Sequence, residues 1–134
     1  MYLLDTNVLS HAIRRRPPPA LVARLREHAA TPLFTSCVCV MELRHGAMRR
    51  DEGGALWSRI ERDVLTRVGI LGIDPEIAIM AGDVMARLSA TGRRIDVEDV
   101  LIGATALARG LTVVTNNLDH FRRIPRLTVE DWTA

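Results

Sequence analysis

Met1-Tyr2-Leu3-Leu4-Asp5-Thr6-Asn7-Val8-Leu9-Ser10 is the stretch whose reading decides the fold. Tyr2, Leu3 and Leu4 form a short apolar run that stops at polar residues. A run of that length predicts a buried strand of an α/β sheet. Asp5, Thr6 and Asn7 then offer helix-start chemistry, and Val8, Leu9, Ala12 and Ile13 continue at helical spacing. Asp5 therefore falls where a first strand ends and a first helix begins. In open α/β sheets, sites are built at that carboxyl end of the strands. An aspartate there also serves as a plain helix cap. A site therefore requires other carboxylates to converge on the same spot.

Beyond this stretch, helical and strand signals alternate. Arg14-Arg15-Arg16-Pro17-Pro18-Pro19 stops the first helix. The arginines read as a solvated helix end that suits the dipole there, with contact to phosphate as the alternative. A helix is expected over Ala20–Ala30 and a strand at Leu33-Phe34-Thr35. Ser36 is the expected cap of a helix over Cys37–Met48 that carries Glu42. After Gly53-Gly54, the spacing of Leu56, Ile60, Val64 and Leu65 predicts a helix reaching Val68. Ile70–Ile73 reads as a strand, and Pro75 as the first residue of a helix to Ala90. Asp96 is the expected cap of a helix with Val100, Leu101, Ala104, Leu107 and Ala108 on its apolar face, closed by Gly110. Leu111–Thr115 is the clearest strand, Phe121 an expected core anchor, and Leu127–Val129 a last strand. The expected fold class is α/β. A single domain over 1–134 is built on a mostly parallel central sheet of about five strands, with helices on both faces.

Composition narrows the chemistry. At 134 residues, one domain with an ordinary hydrophobic core is expected, without disulfide or metal staples. No apolar stretch approaches the roughly 20 residues that span a bilayer. No basic region followed by an apolar one opens the chain, so a cytoplasmic protein is expected. Cys37 and Cys39 are the only cysteines, and a C-x-C pair on a helix turns its thiols to different sides. They are expected as free thiols. All 18 basic residues are arginine. The absence of lysine excludes aspartyl-phosphate receivers and phosphatases, which need an active-site lysine, and P-loop nucleotide sites, which need G-K-[ST]. The net charge of +2 permits a nucleic-acid partner without demanding one.

Three acidic residues fall at positions a parallel sheet brings to one edge. Asp5 ends the first strand, Glu42 lies on the helix after the second, and Asp99 is in the first turn of the helix before the fourth. Asn117 follows that fourth strand directly. Each has a local explanation: a solvated Glu42, a first-turn Asp99 paired with the Asp96 cap, a turn Asn117. No single one explains the joint pattern. Two carboxylates about 4 Å apart repel by roughly 4 kcal/mol at an effective dielectric of about 20. They must share protons or bind a cation. The pattern contains oxygen donors and no nearby His or Cys, so the expected ion is hard, Mg²⁺ or Mn²⁺. Such an ion acidifies water and clamps a phosphate oxygen, which points to phosphodiester hydrolysis.

The blocks Leu4-Asp5-Thr6-Asn7-Val8-Leu9, Ser36 with Met41-Glu42-Leu43 and Gly46, Gly92-Arg93-Arg94-Ile95 leading to Asp99, Ile102 and Ala104, and Val114-Thr115-Asn116-Asn117 with Phe121 occur in that order, followed by Val129-Glu130-Asp131-Trp132. Together they resemble the PIN-domain nucleases, and within them the VapC toxins of bacterial toxin–antitoxin pairs. The resemblance implies a Mg²⁺-dependent endoribonuclease (Mn²⁺ as the alternative ion) acting on structured RNA, often tRNA. Asp5, Glu42 and Asp99 match the family's acidic positions as catalytic residues and metal ligands, and Asn117 stands where many members carry a fourth Asp. That departure makes a second tightly held ion doubtful, and Asp119 is a weak substitute. Thr6 and Thr115 are expected to orient the carboxylates, and Arg44, Arg93 and Arg94 are candidates for holding the RNA backbone. The resemblance also implies a VapB-type antitoxin whose C-terminal segment blocks the pocket, and a homodimer. Trp57 is a candidate contact residue, with core packing as its alternative. The rival reading is a PIN-like scaffold that binds RNA or a partner without cutting.

Overall fold

The computed structural model describes residues 1–134. Five strands form one sheet: β1 (Tyr2–Leu4), β2 (Leu33–Ser36), β3 (Gly69–Leu71), β4 (Thr112–Val114) and β5 (Val129–Glu130). Seven helices connect and cover them: α1 (Thr6–Ala12), α2 (Pro19–Glu27), α3 (Cys37–Arg50), α4 (Ala55–Asp63), α5 (Pro75–Ala90), α6 (Val97–Arg109) and α7 (Leu118–Phe121). The sheet order is β3-β2-β1-β4-β5. Every neighbouring pair is parallel, so the sheet is wholly rather than mostly parallel.

Side-chain alternation along the strands divides the core in two. Leu3 and Val113 face one cluster with Ile77, Ile102 and Phe121. Leu4 and Val114 face the other with Leu9, Leu21, Leu43 and Trp132. Both faces of the sheet are thereby covered by helices, as a parallel sheet requires. The chain runs from β1 outward through β2 to β3, then returns to the other side of β1 as β4. That reversal puts the carboxyl ends of β1 and β4 at the switch point of the sheet, the usual ligand position in this architecture.

Several expected boundaries shift. Pro19 starts α2, which ends at Glu27 instead of Ala30. The helix after Gly54 stops at Asp63 and gives way to a 3₁₀ turn over Leu65–Arg67 instead of reaching Val68. The one-turn helix α7 was not expected at all. Asp96 takes the expected cap position of α6 in extended backbone, but its side chain makes no capping bond. The expected end of α6 holds. Gly110 adopts φ +67°, which only glycine takes without strain, and Leu111 donates its N–H to the Ala106 carbonyl at 2.8 Å. Cys37 and Cys39 are both free thiols.

Candidate active site

Asp5 is pinned from three directions. Its backbone N–H donates to the Val114 carbonyl at 2.9 Å, so the end of β1 is tied to the end of β4. Its Oδ1 accepts from the Thr6 N–H at 2.8 Å, which makes Asp5 the cap of α1. Its Oδ2 accepts from the Thr115 hydroxyl at 2.8 Å. The capping role and the site role therefore coincide, one carboxylate oxygen serving the helix start and the other facing β4. The side chain is buried, with 4% of its surface exposed.

The other two acids approach Asp5 on separate supports, near enough for their charges to act on it. Glu42 rides on α3, whose start is set by Ser36: its Oγ accepts from the Val38 N–H at 3.1 Å. The Thr6 hydroxyl donates to Glu42 Oε1 at 2.6 Å, linking α1 to α3. Asp99 lies in the first turn of α6. The Asn117 amide nitrogen approaches its Oδ2 at 3.4 Å, and His120 Nδ1 approaches the same oxygen at 2.9 Å. Thr115 closes the circuit by accepting the Asn117 N–H at 2.9 Å.

The electrostatics follow from this packing. Burial raises the Asp5 pKa from 3.8 to about 6. The Thr115 and Thr6 hydrogen bonds pull against that rise, and the charges of Asp99 and Glu42 add to it. Neither Asp5 nor Glu42 pairs with any guanidinium, and the only cationic candidate at Asp99 is His120. Acids gathered with no guanidinium among them, and one imidazole at Asp99, suit a bound divalent ion.

The expectation of oxygen donors alone is corrected here. Cys39 brings its sulfur into a group with Asp5 and Glu42, and His120 groups with Asp96 and Asp99, the ligand atoms in each lying within 4.8 Å of one another. Burial and the Asp5 charge push the Cys39 thiol up to about 11, so it stays protonated. A neutral thiol is a poor ligand, and the donor set around Asp5 remains that of a hard cation. His120 was missed because it rides on the unexpected helix α7. Its Nδ1 lies 3.0 Å from the Asn117 amide nitrogen and 2.9 Å from Asp99, so it either accepts from the amide or donates to the carboxylate.

The remaining expected site residues lie elsewhere or are otherwise engaged. Asp119 is exposed and pairs with Arg123 at 2.7 Å, so it does not stand in for a fourth acid in the crevice. Asn117 turns its amide nitrogen, a donor, toward Asp99. The Arg44 guanidinium lies over the Trp57 ring, 5.1 Å from its centroid. Trp57 itself is half-buried against the second core cluster. Arg93 and Arg94 are exposed in the turn before α6, and the Arg94 carbonyl accepts from Arg123 at 3.0 Å.

The PIN domain model matches residues 2–127. Ribonuclease VapC2 of Haemophilus influenzae is 37% identical over 131 residues, covering 98% of this chain and 97% of that protein. The tRNA(fMet)-specific endonuclease VapC of Salmonella typhimurium is 32% identical over 134 residues, covering 98% and 97%. Among solved structures, VapBC2 from Rickettsia felis, bound to a DNA fragment from its promoter, superposes with a TM-score of 0.89 at 29% identity, covering 98% of each chain.

Proposed function

This chain belongs to the PIN-domain family, and on that premise we propose that it is the endoribonuclease toxin of a toxin–antitoxin pair, hydrolysing phosphodiester bonds in RNA with the help of a divalent cation. The observation that carries the reading is the acidic site: buried Asp5 feels the charges of Glu42 and Asp99, no guanidinium pairs with any of the three, and His120 at Asp99 is the one cationic candidate. Mg²⁺ is the ion we propose, with Mn²⁺ able to replace it. Asp5 and Asp99 hold it, Glu42 completes the cluster, and Asn117 contributes at most a neutral group. When bound, the ion supplies Lewis-acid polarisation of a phosphate oxygen and lowers the pKa of water.

The chain's own residues do the rest. Thr115 and Thr6 fix the rotamers of Asp5 and Glu42 through their hydroxyls. Glu42 Oε2, the oxygen that Thr6 does not engage, is the group we propose takes a proton from the attacking water. We expect Thr115→Val, which preserves shape and removes both hydrogen bonds of that hydroxyl, to weaken metal affinity by about 10- to 100-fold. Calorimetric titration with Mn²⁺ measures it, and unchanged affinity would remove Thr115 from the machinery.

The substrate we propose is structured RNA cut in single-stranded loops, tRNA being the class suggested by the Salmonella relative's name. The partner is a VapB-type antitoxin, as in the Rickettsia VapBC2 assembly. An open cavity of about 530 Å³, with Leu9, Ala12, Ile13, Leu25 and Leu33 among its walls, offers its segment an apolar seat beside α1. A homodimer in the cytoplasm completes the reading. No helix is long and apolar enough to cross a membrane. The test is incubation of the purified chain with RNA in Mg²⁺ and in chelator. Cleavage is expected only with Mg²⁺ and returns when Mn²⁺ is added to stripped protein. Equal survival of RNA in both tubes would favour the non-cleaving scaffold.

A further inference from the structure

Glu42 borders a second space. Its side chain is part of the wall of a cavity of about 440 Å³ set between the turn after α1, the end of α3, and α4. Arg14, Arg15, Arg50 and Arg59 line the same cavity. The first three form no ion pair with any carboxylate of the chain. Arg59 donates to the Ile13 carbonyl, which leaves its charge unneutralised. Four guanidinium groups against one carboxylate give the cavity a net of three positive charges. The four arginines are exposed at the rim of this concave space, where like charges repel one another and focus a positive potential outward. A bound polyanion relieves that repulsion.

We propose that this cavity is a phosphate-binding subsite for the RNA strand flanking the scissile bond. Arg14, Arg15 and Arg50 hold backbone phosphates while the bond to be cut lies at Asp5 and Asp99. The proposal rests on the ribonuclease reading above. Glu42 is the hinge of the arrangement, because it belongs both to the acidic crevice and to the arginine-lined wall. Guanidinium forks bind phosphate bidentately, so the subsite holds the strand in register without reading its bases. The contiguity of an acidic crevice with a basic cavity also separates the tasks. The cation is held where the protein is negative, and the substrate is gripped where it is positive.

The test is fluorescence anisotropy of a short labelled single-stranded RNA with the full chain in chelator, so that nothing is cut. Affinity is measured across a range of salt for the wild type, Arg50→Gln, and the triple variant Arg14→Gln/Arg15→Gln/Arg50→Gln. Arg87→Gln, on an exposed position of α5, is the control. Each lost phosphate contact lowers the slope of log affinity against log salt by about 0.7 and affinity at 0.1 M salt by about fivefold. The triple variant therefore binds on the order of 100-fold more weakly at an unchanged melting temperature. If the triple variant is poorly folded, the 0.7 change in Arg50→Gln alone carries the result. A wild-type slope and affinity in a folded triple variant overturns the subsite. If antitoxin binding falls instead, the cavity is a protein-docking surface, which overturns it equally. A wild type that binds through these arginines yet never cleaves in Mg²⁺ supports the subsite and sinks the nuclease reading. Cleavage with unaltered binding in the triple variant does the reverse.

Discussion

Asp5→Asn is expected to lower RNA cleavage by about 10³-fold or more while raising the melting temperature of the metal-free protein. Losing a group that only orients a ligand costs about 10- to 100-fold, so losing a charged ligand itself costs more. The gain in stability comes from the same burial. The Asp5 pKa is raised from 3.8 to about 6, so between those values the folded chain holds a proton that the unfolded chain has released. Stability credited to that proton is full at the acid end and is lost as pH rises through 6. At pH 7 the buried charge costs the metal-free fold about 3 kcal/mol. Asparagine removes the charge but must still satisfy Thr6 and Thr115, so a net gain of about 1–2 kcal/mol is expected. That corresponds to a rise of roughly 3–8 °C in melting temperature at pH 7. At pH 4 the difference disappears. Adding Mg²⁺ stabilises the wild type by mass action and leaves the variant nearly unmoved. Calorimetric melts at the two pH values, with and without the ion, check all of this. A variant that cleaves at the wild-type rate sinks the site. One that melts lower than wild type at pH 7 sinks the buried-charge argument.

What could be read along the chain was what local chemistry decides. The strand–Asp5–helix junction was legible because an apolar run, a cap and a helical repeat follow one another within ten residues. The bounds of α5 were legible because Asp74 accepts the Ile77 N–H at 2.9 Å and Pro75 begins the helix. The convergence of Asp5, Glu42 and Asp99 was legible only through the parallel pattern, which puts strand ends on one edge. Non-local packing hid the rest. The helix α7 is a single turn held by backbone bonds such as Arg122 N–H to the Leu118 carbonyl and by the burial of Phe121 in the core, and no apolar repeat marks so short a helix. His120 therefore escaped notice, although its spacing of three from Asn117 puts the two on one side of a helical turn. Asp96 holds the cap position that its residue type predicts, but what its carboxylate does there was not legible: it makes no capping bond and lies with Asp99 and His120. The arginine cavity draws on residues from 14 to 59. No spacing rule joins Arg14 to Arg50. The packing of α1, α3 and α4 over one face of the sheet does.

Trp132→Ala is expected to destabilise the chain by about 3–5 kcal/mol, the cost of emptying a large buried aromatic site. Trp132 lies beyond β5 with none of its surface exposed. Its ring meets Tyr2 edge-on at 4.9 Å between centroids and stacks on His28 at 5.0 Å. Its indole N–H donates to Glu130 Oε1 at 3.2 Å. These contacts lock the residues after the last strand onto the first residue of β1 and the end of α2. Since β1 delivers Asp5 only three residues later, looseness at Tyr2 propagates to the crevice through one short strand. The loss is a large share of the 5–15 kcal/mol that holds a domain of this kind together, and lowers the melting temperature by roughly 10–20 °C. His28 also lines the apolar cavity beside α1 proposed as the antitoxin's seat, so on that proposal antitoxin affinity is expected to fall as well. Trp132→Phe keeps one aromatic ring but gives up the volume of the second ring and the indole hydrogen bond, the latter worth about 1 kcal/mol. It therefore recovers part of the stability. Thermal melts of the two variants, read beside antitoxin affinity, grade the contribution of packing at this position. An alanine variant that melts within a few degrees of wild type would show that the strand start is held by its sheet partners alone.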